Sequence, residues 1–289
     1  MMKILADKTG ILIEALPWIS RYEGKTFVIK YGGAAMIDDD LRETFAQDVT
    51  LLKKIGVHVA IVHGGGKEVT EIAGRLGIES RFVNGQRYTD EAMVGVVQMV
   101  LAGKTNKDIV VRINQHDGDA VGLCGIDANV FRVKRFEEDG VDLGLVGTIT
   151  EVNAGYLQLL LANGIMPVIA PLGVDERWRV HNINADLAAA SLAAALKAEK
   201  LVYLSDVEGI MADDALVHSV TEHRAEEMIR TGVISTGMIP KVRSAFDALD
   251  AGVNKVHMID GRVTHSLLLE IFTDTGIGTE LIHDAGTGG

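Results

Sequence analysis

The 289-residue sequence contains one cysteine, Cys124, which excludes an intramolecular disulfide framework and any cysteine-rich zinc site. Only four prolines occur, and no repeat, charged block or Pro/Gly/Ser linker divides the chain, so a domain boundary has to be argued from topology. Positive charge is the scarcer sign. Twenty-eight Lys and Arg against 40 Asp and Glu leave a formal charge of −12, which opposes broad attraction to nucleic acid or to an anionic membrane. An anionic ligand must therefore meet local positive charges. No apolar run approaches the ~20 residues needed to cross a bilayer. Residues 11–19 come nearest, but Glu14 and Pro17 interrupt them, and Arg21 and Glu23 stand where a signal peptide needs small residues. A reducing cytoplasm fits this balance.

The 47% hydrophobic fraction is that of an ordinary globular protein. Runs rich in β-branched residues alternate with helix-period segments, which argues for an α/β fold with a largely parallel sheet. Residues 26–29 and 57–62 suit buried strands, and Leu41, Phe45, Val49, Leu52 and Ile55 lie along one helical face between them. Strand signals recur at 166–170, 201–204 and 256–259, and helical ones at 186–196 and 242–251.

Ligands of open α/β sheets bind beyond the carboxyl ends of the strands. Lys30-Tyr31-Gly32-Gly33 follows the first predicted strand, and His63-Gly64-Gly65-Gly66 follows the second and opens a helix from Lys67. Glycines allow close approach, and N–H groups at a helix start can hold a phosphoryl group or a carboxylate. Either loop alone is also what a plain turn looks like. Other nucleotide signals fail. Gly103-Lys104-Thr105 imitates the end of a phosphate loop, but Gln98 stands where its first glycine belongs and the preceding residues read as helix. The aspartates at 38–40, 117/119 and 213/214 lack the other positions of a calcium loop and read as solvated turns or caps. The nine histidines form no zinc-helix pattern, and His63 reads as structural.

Those two loops, with Asn84-Gly85-Gln86-Arg87, His181-Asn182-Ile183-Asn184-Ala185-Asp186, Leu204-Ser205-Asp206-Val207-Glu208-Gly209 and Gly237-Met238-Ile239-Pro240-Lys241, resemble in order and type the amino acid kinase family, and within it the branch that phosphorylates N-acetyl-L-glutamate. The resemblance covers nearly the whole chain. It implies a three-layer αβα sandwich in two lobes, residues 21–195 for the acetylated amino acid and 196–289 for ATP. The implied reaction is transfer of the γ-phosphoryl group of ATP, with Mg2+, to the side-chain carboxylate of N-acetyl-L-glutamate in arginine biosynthesis. Lys30 and Lys241 match the lysines flanking the transferring group, and Asp186 the aspartate that holds them. By itself Asp186 also reads as an N-cap for the alanine-rich helix after it. Arg87, with Asn182, matches the group that binds the substrate α-carboxylate. Gly32, Gly33 and Gly64 are implied to line the phosphoryl path, and Gly65 and Gly66 to face the substrate. Ser205, Asp206, Val207, Gly209, Gly237 and Met238 fall near the ATP base and ribose, between residues 205–209 and 236–241. An amino acid kinase with another acid, such as N-acetyl-aminoadipate, aspartate or carbamate, is the alternative. A non-catalytic nucleotide-sensing module would be expected to lose Lys30, Lys241 or Asp186.

Before the first strand, Ile11, Leu12, Ala15, Leu16 and Ile19 form a helical apolar stripe that Pro17 should bend. It could pack on its own subunit. Residues 14–18, followed by Gly24-Lys25-Thr26, resemble the kinked N-terminal helix (1–20) of the arginine-inhibited subgroup, with Trp18 where a tyrosine is frequent. Residues 256–261, 269–273 and 276–279 resemble that subgroup's effector segment, which implies an L-arginine site of Trp18, His257, Glu270 and Gly276 and a homohexamer built as a trimer of dimers. A PII-type signalling protein is a further partner this subgroup admits.

Overall fold

The structure, a computed structural model, describes residues 13–137, 140–235, 237–273 and 275–284. Ile11, Leu12 and Thr236, named above, lie outside them.

Residues 13–22 form a helix, α1, that continues through Pro17. There follow β1 (Thr26–Tyr31), α2 (Asp39–Lys54), β2 (His58–His63), α3 (Gly66–Arg75), the hairpin β3 (Phe82–Val83) and β4 (Gln86–Arg87), α4 (Glu91–Gln98), a π-helical segment Met99–Thr105 and α5 (Asn106–Gln115). Next come β5 (Ala120–Cys124), β6 (Phe131–Arg135), β7 (Gly147–Val152), α6 (Ala154–Ala162), β8 (Met166–Ala170), β9 (Leu172–Val174), β10 (Val180–Asn182) and α7 (Ala185–Leu196). The last part holds β11 (Lys200–Ser205), the hairpin β12 (Met211–Ala212) and β13 (Ala215–Leu216), β14 (Ser219–Thr221), α8 (Glu222–Arg230), α9 (Ile239–Asp250), β15 (Lys255–Asp260), α10 (Ser266–Ile271) and β16 (Thr279–Ile282).

Eight strands make one sheet in the order β14-β16-β15-β11-β1-β2-β8-β5. It is parallel except where β16 meets β15 in the antiparallel sense. The predicted lobe boundary at 195/196 runs between β1 and β11, which pair directly, so the sheet is continuous across it. Successive residues of the central strands enter opposite cores. Val28, Val62 and Tyr203 pack with Leu157, Ala189 and Phe246 of α6, α7 and α9. Phe27, Ile29, Ile61 and Val202 pack with Phe45, Val49, Ile113 and Leu267 of α2, α5 and α10. That two-sided burial is why these strands read as unbroken apolar runs, and it makes the three layers.

Asp38 caps α2, accepting from the N–H groups of Asp40 and Leu41 at 3.0 Å. Asp213 and Asp214 occupy left-handed positions between β12 and β13. The Gly103-Lys104-Thr105 stretch lies in the π-helical segment. The expectation that Asp186 caps α7 is corrected: Asn184 does so, its Oδ1 accepting from Asp186 N at 2.8 Å and Leu187 N at 3.3 Å. A cap must precede the first helical turn, and Asp186 already lies inside it, so its carboxylate is free for other work. A second sheet, β10-β9-β6-β7, is a further addition to the sequence expectation. It delivers Asn182 and, two residues later, the cap of α7.

Candidate active site

Lys30 near the end of β1, Asp186 in the first turn of α7 and Lys241 in the first turn of α9 are 156 and 55 residues apart in sequence but converge. Lys30 Nζ lies 3.0 Å from Asp186 Oδ1 and Lys241 Nζ 3.7 Å from Asp186 Oδ2, with side chains 12%, 17% and 22% exposed for Lys30, Lys241 and Asp186. Burial pushes the Asp186 carboxyl upward, yet the two ammonium groups outweigh it and hold the pKa below the ordinary value. Burial pulls Lys241 down, and Asp186 partly restores it. Lys241 also stands 5.8 Å over the Tyr203 ring.

Between Lys30 and the loop after β11, Gly33 takes φ +72°, and a Cβ there would overlap the Asp206 carboxylate. The Ala34 N–H donates to that carboxylate, tying the first loop to the loop after β11. Ser205 closes β11, its hydroxyl donating to the Val207 carbonyl at 3.2 Å. Ile210 N–H bonds Thr279 Oγ1 at 2.8 Å beside Gly209. Gly237 and Met238 lead into α9 and so to Lys241.

Beside the loop after β2, an open cleft of about 670 Å³ is lined by Gly64, Gly65, Gly66, Phe82, Arg87, Asn182 and the start of α7. Gly65 sits at φ +145°, and a Cβ there would come within 2.6 Å of Leu101. Arg87 follows the Asn84-Gly85 turn of the β3–β4 hairpin, both turn residues having positive φ. Its guanidinium stacks 4.7 Å over Phe82 and donates to Gly66 O at 2.7 Å, Thr70 Oγ1 at 2.9 Å and Ser80 Oγ at 2.8 Å. Three of its five donors are thereby used, leaving two for a ligand. Asn182 is held by Leu145, whose carbonyl accepts its N–H at 2.9 Å, and its amide donates to Thr89 Oγ1 at 3.3 Å. Backbone groups and a buried guanidinium thus line one volume, and Lys30, which reaches Gly32 next to Gly64 and shares Asp186 with Lys241, stands at its edge, an arrangement suited to a dianionic acceptor beside a polyphosphate.

His257, Glu270 and Gly276 also come together, at the other end of the strands, and Trp18 is linked to them through Tyr22 and Lys200. Trp18 stacks on Tyr22 at 6.2 Å. Lys200 Nζ lies 5.4 Å over the Tyr22 ring and 2.8 Å from His257 Nε2. His257 Nδ1 is 2.6 Å from Glu270 Oε1, while Glu270 Oε2 accepts from Ile277 N at 2.7 Å and Gly278 N at 3.0 Å. Gly276 lies against that carboxylate. Burial, then the charge of Lys255, push the Lys200 pKa down to about 8. The sequence reading missed Lys200 and Tyr22, a charged residue opening an apolar strand and an aromatic ending a helix being ordinary surface patterns. Lys200 and Ser205 are the two ends of β11, so the cluster stands roughly 16 Å from the loop that follows Ser205 at ~3.3 Å per residue.

Among the described residues, no group of three or more His, Cys, Asp or Glu side chains is placed to hold a metal ion. No described helix is long and apolar enough to cross a membrane.

The model of the amino acid kinase family matches residues 25–260. Acetylglutamate kinase of Pelodictyon phaeoclathratiforme is 54% identical over 94% of this chain and 89% of its own length. That of Moorella thermoacetica is 49% identical over 96% of this chain and 97% of its own. N-acetylglutamate synthase from Neisseria gonorrhoeae, solved with coenzyme A and N-acetyl-glutamate, superposes with a TM-score of 0.86 at 28% identity over 96% of this chain. The same synthase solved with coenzyme A and L-arginine gives 0.81 at 27% identity over 96% of this chain. This chain spans only 64% and 66% of the length of those two synthase chains. With the Lys30–Asp186–Lys241 constellation at the mouth of the sheet and relatives matched along nearly its full length, the chain belongs to the amino acid kinase family, enzymes that take their phosphoryl group from ATP.

Proposed function

We propose that the enzyme transfers the γ-phosphoryl group of ATP to the side-chain carboxylate of N-acetyl-L-glutamate, forming an acyl phosphate for arginine biosynthesis. The observation that carries this reading is that Arg87, Asn182 and the Gly64-Gly65-Gly66 loop line one cleft, at whose edge Lys30 reaches Gly32 beside Gly64 and shares Asp186 with Lys241. Arg87 and Asn182 hold the α-carboxylate and the acetylated amine end. The distal carboxylate then points at the glycine loop and supplies the nucleophile itself, so no protein nucleophile is needed. Its oxygen attacks the γ-phosphorus, the β–γ bridging oxygen leaves with the bond electrons as ADP, and no proton moves. Lys30 and Lys241 neutralise the charge spread over the transferring group, and Asp186 keeps them convergent. Residues 21–195 serve as the lobe for the acid and 196–289 as the lobe for ATP, whose base and ribose lie near Ser205, Asp206, Val207, Gly209, Gly237 and Met238. Mg2+ bound by ATP would offset phosphate charge. Asp186 is occupied by lysines and Asp206 by Ala34 N–H, which suits a metal held by the phosphates. The test is hydroxylamine trapping of the acyl phosphate from ATP with N-acetylglutamate, N-acetylaminoadipate, aspartate or carbamate in parallel. Trapping with N-acetylglutamate alone supports the reading, and preference for another acid replaces it.

The cluster of Trp18, Lys200, His257, Glu270 and Gly276 supports L-arginine as feedback inhibitor, since Glu270 offers a buried carboxylate to a cation. Exposed Ile13 and Leu16 on α1 support a trimer of dimers joined through residues 1–20 in a cytoplasmic enzyme. Deleting residues 1–20 should leave active dimers that respond weakly to arginine. Light scattering with an arginine titration tests both halves, and a full-length dimer indifferent to millimolar arginine refutes them.

A further inference from the structure

We propose that His63 is a positioning residue for phosphoryl transfer: held by Asn106 as the neutral Nδ1–H form, it turns the Gly64 carbonyl inward and so aims the Gly65 N–H into the cleft. The role rests on the reaction proposed above, although its central geometry does not.

His63 ends β2 and is wholly buried. Its Nδ1 lies 2.7 Å from the Gly64 carbonyl oxygen and its Nε2 3.1 Å from Asn106 Nδ2. A carbonyl oxygen can only accept, so Nδ1 carries the proton and Nε2 offers its lone pair. The Asn106 amide cannot be reversed. Its Nδ2 also faces the carbonyl oxygens of Val168 at 2.9 Å and Leu123 at 3.1 Å, so its two hydrogens serve three acceptors with one of them shared, while its Oδ1 receives the Lys107 ammonium at 3.1 Å. Three groups outside the site therefore orient the amide, the amide selects the tautomer, and the tautomer binds the loop. A second proton on His63 would set N–H against N–H, and burial accordingly pulls its pKa down to about 4.

Peptide geometry carries this orientation into the loop. No described peptide is cis, and in a trans peptide the C=O and the next N–H point in opposite directions. Gly64 O is turned to the buried imidazole, so Gly65 N–H is turned away from it, toward the cleft that Gly64, Gly65 and Gly66 line. That N–H has no acceptor among the described residues. Asn106 is placed by the π-helical segment Met99–Thr105, and the same segment sets Leu101 against Gly65. Such segments recur at functional sites because the extra residue re-aims the side chains beyond it.

Two measurements test the proposal. In long-range proton–nitrogen spectra of the 15N-histidine-labelled wild-type protein, the His63 signal, assigned by its loss in His63→Asn, should show a proton on Nδ1 alone from about pH 5 to about 8. An Nε2–H form, or titration in that range, overturns the proposal whatever the substrate. In kinetics, His63→Leu should lose about 100-fold in kcat, as expected for a displaced transition-state donor, with the KM for ATP unchanged. His63→Asn, which can keep an N–H on the Gly64 oxygen, should recover about tenfold of that. If both variants lose equally, or activity falls only in proportion to the folded fraction, His63 is merely structural. If the wild type fails to phosphorylate N-acetylglutamate, the reaction is wrong and the spectra still decide the tautomer.

Discussion

Replacing Asp186 with asparagine removes one charge while keeping shape, and the site makes the outcome specific. At the observed 3.0 and 3.7 Å, each lysine pair is worth about 5 kcal/mol of gross attraction in an effective dielectric near 20. Desolvation offsets much of this. Breaking a fully buried pair costs about 3 to 5 kcal/mol; with the three side chains 12% to 22% exposed, screening reduces the expected loss of stability to about 2 kcal/mol. The kinetic effect should be larger, on the order of 100-fold in kcat, because two ammonium groups without their shared anion repel and no longer converge on the transferring group. The KM for ATP should stay level or fall, since the lost carboxylate repels phosphates. Asp186 also holds the Lys241 pKa up against burial, so the alkaline limb of the kcat profile should move to lower pH. ADP release at saturating acceptor, with urea unfolding alongside, measures all of this. A variant with kcat within about threefold of wild type, or with intact kcat and a KM for ATP raised about tenfold, refutes the reasoning.

Arg87→Ala should raise the KM for N-acetylglutamate by about 10- to 100-fold, the worth of hydrogen bonds to a charged group, with a smaller change in kcat. Arg87→Lys should not rescue it, because a lysine cannot span Gly66, Thr70 and Ser80; normal KM with collapsed kcat would reverse this assignment. Asp48, 2% exposed and bonded to His265 at 2.6 Å, has its pKa raised by burial from 3.8 to about 6. Its folded form binds the proton more tightly, so that contribution is full below about pH 4 and lost as pH rises through about 6. Asp48→Asn should therefore gain up to about 3 kcal/mol in urea unfolding at pH 8 and little at pH 4; equal effects at both would exclude the buried charge as cause. Glu270→Gln should weaken L-arginine inhibition at least about tenfold in a titration, and an unchanged curve would remove Glu270 from the effector site.

The five central strands could be read directly because each is buried on both faces, leaving a short, mostly apolar run, bounded on both sides by glycines at β1, β2 and β15. Lys30 and the loop at 63–66 were likewise visible, since turn chemistry is local and parallel strands place their carboxyl-end loops together. The second sheet was not readable: β9 and β10 have three residues each, and β6 and β7 shift register between Arg132 and Val133, so no period of two is sustained. The Asn84-Gly85 dipeptide did carry a hairpin signal that could have located β3 and β4. For Asn184 against Asp186 as cap, either residue type suits the position, and the choice turns on where the first helical turn begins. Lys200, Tyr22 and Asn106 carry no local mark at all. Their roles arise from meetings across 57 residues for Lys200 with His257 and 43 for Asn106 with His63. Backbone propensity and side-chain period act over a few residues and specify elements, whereas charge pairing, tautomer and shared burial depend on distances that exist only once those elements have packed.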